Sequence, residues 1–287
     1  MVLIILLSGV GCASMVSGTG EVAKMPERIV AVGKGTVSLL QALEIPVVGS
    51  WTGSLPTGLP VMVAGYGVDD LDSAQIAALK PDLVLAPSAY KGVLAEVSAQ
   101  YGFTVQYLDL ENFQDTLNSL ERLGVLLGKE GKAQELIEGI ERREARLQRA
   151  IQGLARPKTL IMVFAGGEWF VATPDSYIGR LALVLHIQPV VLGREGQPFV
   201  PLALAELSST PEVVLAVGLD EGLRHGQLRE KMLADTQLAS WEAVKEGQVF
   251  ELPANLFIVH PGMEAIDGLE LLGQYLYPQA DWRFLYY

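Results

Sequence analysis

Aromatic and basic side chains recur where short apolar runs end. Lys34 follows Arg28-Ile-Val-Ala-Val-Gly33, and Tyr90 and Lys91 follow Leu83-Val-Leu-Ala86. Trp169 follows Thr159-Leu-Ile-Met-Val-Phe164, while Tyr177 and Arg180 open the helix after Trp169-Phe-Val-Ala172. Open α/β sheets bind ligands in the crevice outside the carboxyl ends of their strands, so these six side chains are candidate ligand contacts. Together they describe an aromatic, mildly basic groove, which suits a flat, apolar, anionic ligand better than a hydrated small ion. The three histidines are scattered: His186 closes the apolar stretch Leu181 to Leu185, His225 sits in the polar Gly222-Leu-Arg-His-Gly226, and His260 precedes the last helix in Phe257-Ile-Val-His-Pro-Gly262. Without a His-rich loop or thiolate partners they make a poor ligand set for zinc or manganese.

Cys12 belongs to different chemistry. It is the only cysteine in 287 residues and ends the run Met-Val-Leu-Ile-Ile-Leu-Leu-Ser-Gly-Val-Gly-Cys. The apolar part is far shorter than the roughly 20 residues needed to cross a bilayer, yet it suits the h-region of a signal peptide. The position reads as a lipid-attachment site: residues 1–12 form a lipoprotein leader, and acylated Cys12 holds the rest at the outer face of a cytoplasmic membrane. Two acyl chains anchor far better than one, at about 0.8 kcal/mol for each buried carbon. The alternative is an ordinary signal peptide, which leads to the periplasm.

Composition narrows the rest. Half the residues are hydrophobic and 19% charged, enough for a full core and against disorder. A formal charge of −12 argues against nucleic acid, whose phosphates are held by clustered Lys and Arg. A single cysteine excludes a disulfide framework. No Gly-x-Gly-x-x-Gly followed by an acidic residue, P-loop or Gly-x-Ser-x-Gly elbow occurs, so nothing points to an enzyme.

Residues 13–26 are rich in Gly, Ser and Thr and read as a flexible tether. From Arg28 strand-length runs alternate with helical ones. Strands are expected at 28–33, 46–49, 61–64, 83–86 and 104–108, with helices after Gly33, over 72–79, near 91–101 and over 112–127. Continuous apolar strands between helices imply a parallel sheet covered on both faces. In 130–152 the residues Ala133, Leu136, Ile137, Ile140, Leu147 and Ile151 fall at helical spacing among charged neighbours. This predicts one solvated helix of about 34 Å. The pattern then restarts, with strands at 159–164, 169–172, 212–217 and 248–252 and a terminal helix over 263–275. The fold class is therefore α/β, with two Rossmann-like lobes joined by a single long rigid helix and a ligand cleft between the lobes. The boundaries are an N-terminal lobe at 27–128, a connecting helix at 129–153 and a C-terminal lobe at 154–287.

The ordered series Arg28-Ile-Val-Ala-Val, Ile45-Pro-Val-Val-Gly49, Asp72-Ser-Ala-Gln-Ile-Ala-Ala-Leu-Lys-Pro-Asp-Leu-Val-Leu85, Pro211-Glu-Val-Val-Leu215 and Trp241-Glu-Ala-Val-Lys-Glu-Gly-Gln-Val-Phe250 resembles the substrate-binding lipoproteins of ABC importers for iron siderophores, haem and cobalamin. The likeness spans residues 27–278. Val171-Ala-Thr-Pro-Asp-Ser-Tyr-Ile-Gly179 and Pro253-Ala-Asn-Leu-Phe257 are most similar to the haem-binding lipoproteins of Gram-positive iron acquisition. That resemblance implies a monomeric, non-catalytic receptor that carries haem as cargo to a permease and its ATPase, with a ferric siderophore or cobalamin as the alternative cargo. It also implies iron ligands from either lobe. Tyr66, in Gly65-Tyr66-Gly67, is the candidate from the first, where Gram-positive relatives carry a Met and this chain has Val68. In the second those relatives place a His soon after the strand matching 212–217, where this chain has Gly218 and Leu219. His260 or His225 could substitute, with Met263 a further option; His260, expected near the lobe interface, is the candidate from the second lobe.

Overall fold

The computed structural model describes residues 25–51, 71, 73–191, 196–258 and 260–283. Cys12, Tyr66 and the strand expected at 61–64 lie outside the described residues. The first lobe runs β1 (Ile29–Val32), α1 (Lys34–Ala42), β2 (Gly49–Trp51), α2 (Ser73–Ala78), β3 (Leu83–Pro87), α3 (Lys91–Tyr101), β4 (Thr104–Leu108) and α4 (Phe113–Leu126). Its strands are all parallel in the order β2-β1-β3-β4. Alternation assigns their two faces. Ile29, Ala31, Leu83 and Leu85 pack with Leu39, Leu40 and Leu120 on one side, and Val30, Val32, Val84 and Ala86 pack with Ile76, Leu94 and Val97 on the other. Both faces of β1 and β3 are buried, which is why these strands read as unbroken apolar runs. The second strand departs from expectation by three residues. Pro46 has no N–H to give a ladder; the Val48 N–H donates to the Ile29 carbonyl at 2.8 Å, and the paired register begins at Gly49, opposite Val30.

α5 (Glu130–Ile151) has 22 residues, about 33 Å at 1.5 Å each. Its apolar stripe serves both lobes in turn. Ala133 lies in the first-lobe core, whereas Ile140, Leu147 and Ile151 lie in the second. Gly124 on α4 lets the two helices close up, since a Cβ there would stand 2.5 Å from that of Ala133.

The second lobe comprises β5 (Lys158–Ala165), β6 (Glu168–Ala172), α6 (Tyr177–Val184), β7 (Gln188–Pro189), β8 (Phe199–Pro201), β9 (Val213–Gly218), α7 (Gln227–Ala234), α8 (Glu242–Lys245), β10 (Val249–Leu252), α9 (Ala254–Phe257) and α10 (Ala265–Leu276). Its sheet, in the order β10-β9-β5-β6-β8 with β7 also beside β5, is mixed. β9 and β10 run parallel to β5, but β6 is antiparallel to both β5 and β8. The cause is local: Gly166 and Gly167 stand at φ 60° and 81°, the pair of positive angles that a two-residue hairpin turn demands. The Asp220 carboxylate accepts from both their N–H groups, at 2.6 and 3.0 Å.

Beyond α5, the lobes touch through residues 260–264. Gly262, at φ 66°, sits so close to α1 that a Cβ would fall 2.5 Å from the carbonyl oxygen of Gly35. The N–H of Met263 donates to Ser38 Oγ at 3.1 Å, and its side chain packs against both cores. On the back of the molecule Arg143 of α5 holds Glu270 of α10 through two bonds of 2.9 and 2.7 Å and reaches Asp267 at 2.6 Å.

Candidate ligand-binding site

A cavity of about 560 Å³ opens between the lobes. The first lobe supplies the turns after β3 and β4, through Pro87, Ser88, Ala89, Leu110 and Glu111; the second supplies the β6–α6 turn and first helical residues, through Asp175, Tyr177 and Arg180, with Gly196, Pro198 and His260. Asn112 and Ser176 set the two helices beside it. Asn112 Oδ1 accepts from the Asp115 N–H at 2.9 Å and starts α4. Ser176 Oγ accepts from the Gly179 N–H at 3.0 Å and starts α6. Each is a side-chain cap satisfying a donor that the first helical turn leaves open. Gly179 is required here because a Cβ would meet the Thr173 carbonyl oxygen at 2.1 Å.

His260 and Tyr177 form the inner wall, ring edge to ring face, with centroids 5.1 Å apart and planes at 90°. Burial disfavours the imidazolium and lowers the His260 pKa to about 4; Glu111 opposes the shift and Arg180 adds to it. The ring is therefore neutral at physiological pH, the state in which imidazole ligates a metal. Desolvation pushes the Tyr177 phenol well above its ordinary value, so it stays protonated. Its Oη is buried without a hydrogen-bond partner among the described residues, which costs about 1–3 kcal/mol.

At the mouth, Arg180 Nη1 donates to Glu111 Oε2 across the cleft at 3.1 Å. Asp109 and Asp115 stand near Glu111 on the first-lobe side. The Asp115 pKa is raised, first by desolvation and then by repulsion from Asp109 and Glu111. Among the described lining residues Arg180 is the one cation, against the carboxylates of Glu111 and Asp175.

Three of the residues singled out from sequence thus meet in the cavity: Tyr177, Arg180 and His260. Lys34 does not line it; its ammonium is held by Glu264 at 2.5 Å and the Asn255 carbonyl at 3.1 Å, clipping α1 to the second lobe. Tyr90 is buried in the first-lobe core, and Lys91 is exposed at the start of α3. Trp169 packs edge-on against Phe164, with centroids 4.9 Å apart. It stands at the opposite end of β6 from Tyr177, since the hairpin sends the chain back along β5. The groove is accordingly less basic than expected, because both lysines are placed elsewhere. His225 is exposed beside Glu251, and His186 meets Gln148 on the connecting helix.

Glu111, Ser88, Leu110 and Asp175 were missed. The strand-end rule applied to β4 finds Leu110 and Glu111, and Asp175 stands one residue ahead of the Ser176 cap.

The family model described as periplasmic binding protein matches residues 29–256. The chain is similar to the high-affinity heme uptake system protein IsdE of Staphylococcus aureus, at 24% identity over 268 residues and 91% of each chain. Among solved structures it is similar to an ABC transporter substrate-binding protein from Listeria monocytogenes, with a TM-score of 0.72 and 20% identity over 89% of this chain and 100% of that one. It is similar as well to S. aureus IsdE complexed with heme, with a TM-score of 0.71 and 21% identity over 87% of this chain and 98% of that one.

Proposed function

Because the chain belongs to the periplasmic binding protein family, a family of non-catalytic substrate-binding proteins, we propose that it is the extracytoplasmic receptor of an ABC importer, capturing haem for iron acquisition and passing it to a membrane permease and its ATPase. The observation that carries this reading is the interlobe cavity of about 560 Å³, a volume within the range of small-molecule pockets. Its walls combine apolar side chains from Pro87, Leu110, Pro198 and Tyr177 with the neutral imidazole of His260. Ferric haem requires such walls and an axial donor, and the heme-binding likeness of the S. aureus relative points the same way. His260 and Tyr66 are the proposed iron ligands, and Arg180 the cation that meets a propionate. Lipidated Cys12 tethers the protein to the outer face of the membrane.

A second reading keeps the role and changes the cargo to a ferric siderophore or cobalamin. It is favoured by the two carboxylates against one cation on the described walls, which suit a neutral or cationic complex.

Titration of the purified protein with haem separates the two. We expect a saturable Soret band at one haem per chain, diminished in Tyr66→Phe and in His260→Gln. Absence of any Soret shift, with saturable quenching of tryptophan fluorescence by a ferric siderophore or cobalamin, overturns the haem assignment and leaves the receptor role.

A further inference from the structure

We infer that Glu111 is an internal stand-in for a carboxylate of the cargo: it engages Arg180 across the mouth of the cavity, and a ligand carboxylate takes its place on binding. The inference rests on the haem-receptor reading and deepens it by naming what the mouth selects. Arg180 is the one cation among the described lining residues, and its guanidinium is engaged by Glu111 at 3.1 Å. A cargo carboxylate that takes the Nη1 edge of that cation does so by displacing Glu111 from it.

The geometry makes the exchange feasible. The Glu111 side chain is 63% exposed and that of Arg180 35%, so the pair stands in water and is worth little by itself. A released Glu111 remains hydrated, and a carboxylate on a cargo already held in the cavity by its other contacts gains a bidentate partner without a further loss of the cargo's overall freedom. Repulsion also assists release, because Glu111 shares its side of the mouth with Asp109 and Asp115. The two partners lie on opposite lobes, Glu111 before α4 and Arg180 in the first turn of α6. One exchange thus frees the first lobe's acid while engaging the second lobe's base. A cargo lacking carboxylates leaves the pair intact and gains nothing from Arg180.

The test compares haem with haem dimethyl ester in the parent protein, Glu111→Gln, Arg180→Gln and the double variant. Both substitutions fall on solvated side chains, and circular dichroism verifies that each variant is folded. Glu111→Gln is expected to bind haem about two- to fivefold more tightly, with no gain for the ester. Arg180→Gln is expected to bind haem about tenfold more weakly and to abolish the gain from Glu111→Gln. Unchanged or weaker haem binding by Glu111→Gln overturns the inference, as does an equal gain for the ester. If the parent binds neither porphyrin, the haem reading fails by itself, and ferric citrate is the probe. A Glu111→Gln gain for that carboxylate complex then supports the subsite, and no gain overturns it.

Discussion

His260 lies where charge is costly. An unfolded chain takes up a proton on this ring near pH 6.5, but the folded protein resists until about pH 4. The unfolded state thus binds more protons between those values, and stability falls as pH falls through that window, being complete above it. The loss amounts to as much as about 3 kcal/mol. Urea unfolding at pH 7 and pH 4.5 reads it directly: the parent should lose about 2–3 kcal/mol more than His260→Gln. Equal losses would mean that the ring is not desolvated as described. In the proposed haem receptor the same burial would keep the imidazole lone pair available to iron at neutral pH.

Two glycines decide how closely the elements of opposite lobes approach. Gly35 in α1 leaves no room for a Cβ, which would stand 2.8 Å from the His260 carbonyl oxygen and 2.9 Å from Leu110 Cδ1. Gly262 is doubly constrained, by φ 66° and by the Gly35 backbone. Gly262→Ala must therefore strain the backbone and push α1 away from residues 260–264. We expect a loss of about 2 kcal/mol or more, measured by thermal unfolding. Weakened cargo binding should accompany it, since the displaced segment carries His260 into the cavity wall. A variant as stable as the parent would show that the contact is looser than described. Lys34, with its bonds to Glu264 and Asn255, reinforces the same junction.

For the whole molecule, α5, the 260–264 segment and the bonds of Lys34 couple the lobes, and the Arg143 cluster fixes α5 to α10 of the second. The connecting helix enters one core at Ala133 and the other at Ile140, so bending it would disturb packing in both. Such a frame permits small adjustments at the mouth rather than wide hinge closure. Small-angle scattering should show a radius of gyration changed by less than about 1 Å when cargo binds; a contraction of several Å would contradict the rigid coupling. Exchange at Glu111 and Arg180 requires only side-chain motion, in keeping with that frame.

Much of this architecture was legible in the chain itself. β1, β3, β5 and β9 announced themselves because strands buried on both faces are apolar at every position. α5 did so because a helix serving two cores needs one stripe and can solvate the rest. Tyr177 and Arg180 were found from their place in the first turn of the helix that follows a strand, and His260 from its place before the last helix. The local code determined most of the described elements and their order, since each depends on neighbours within a few residues, and the restart of the pattern after α5 implied the two-lobed α/β class. Tertiary structure alone decided which loop residues face the cavity. Lys34 was drawn to Glu264, 230 positions away in sequence, and Glu111 was set against Arg180 from another lobe. Those pairings arise from distances in space between segments remote in the chain, and no periodicity along it encodes them.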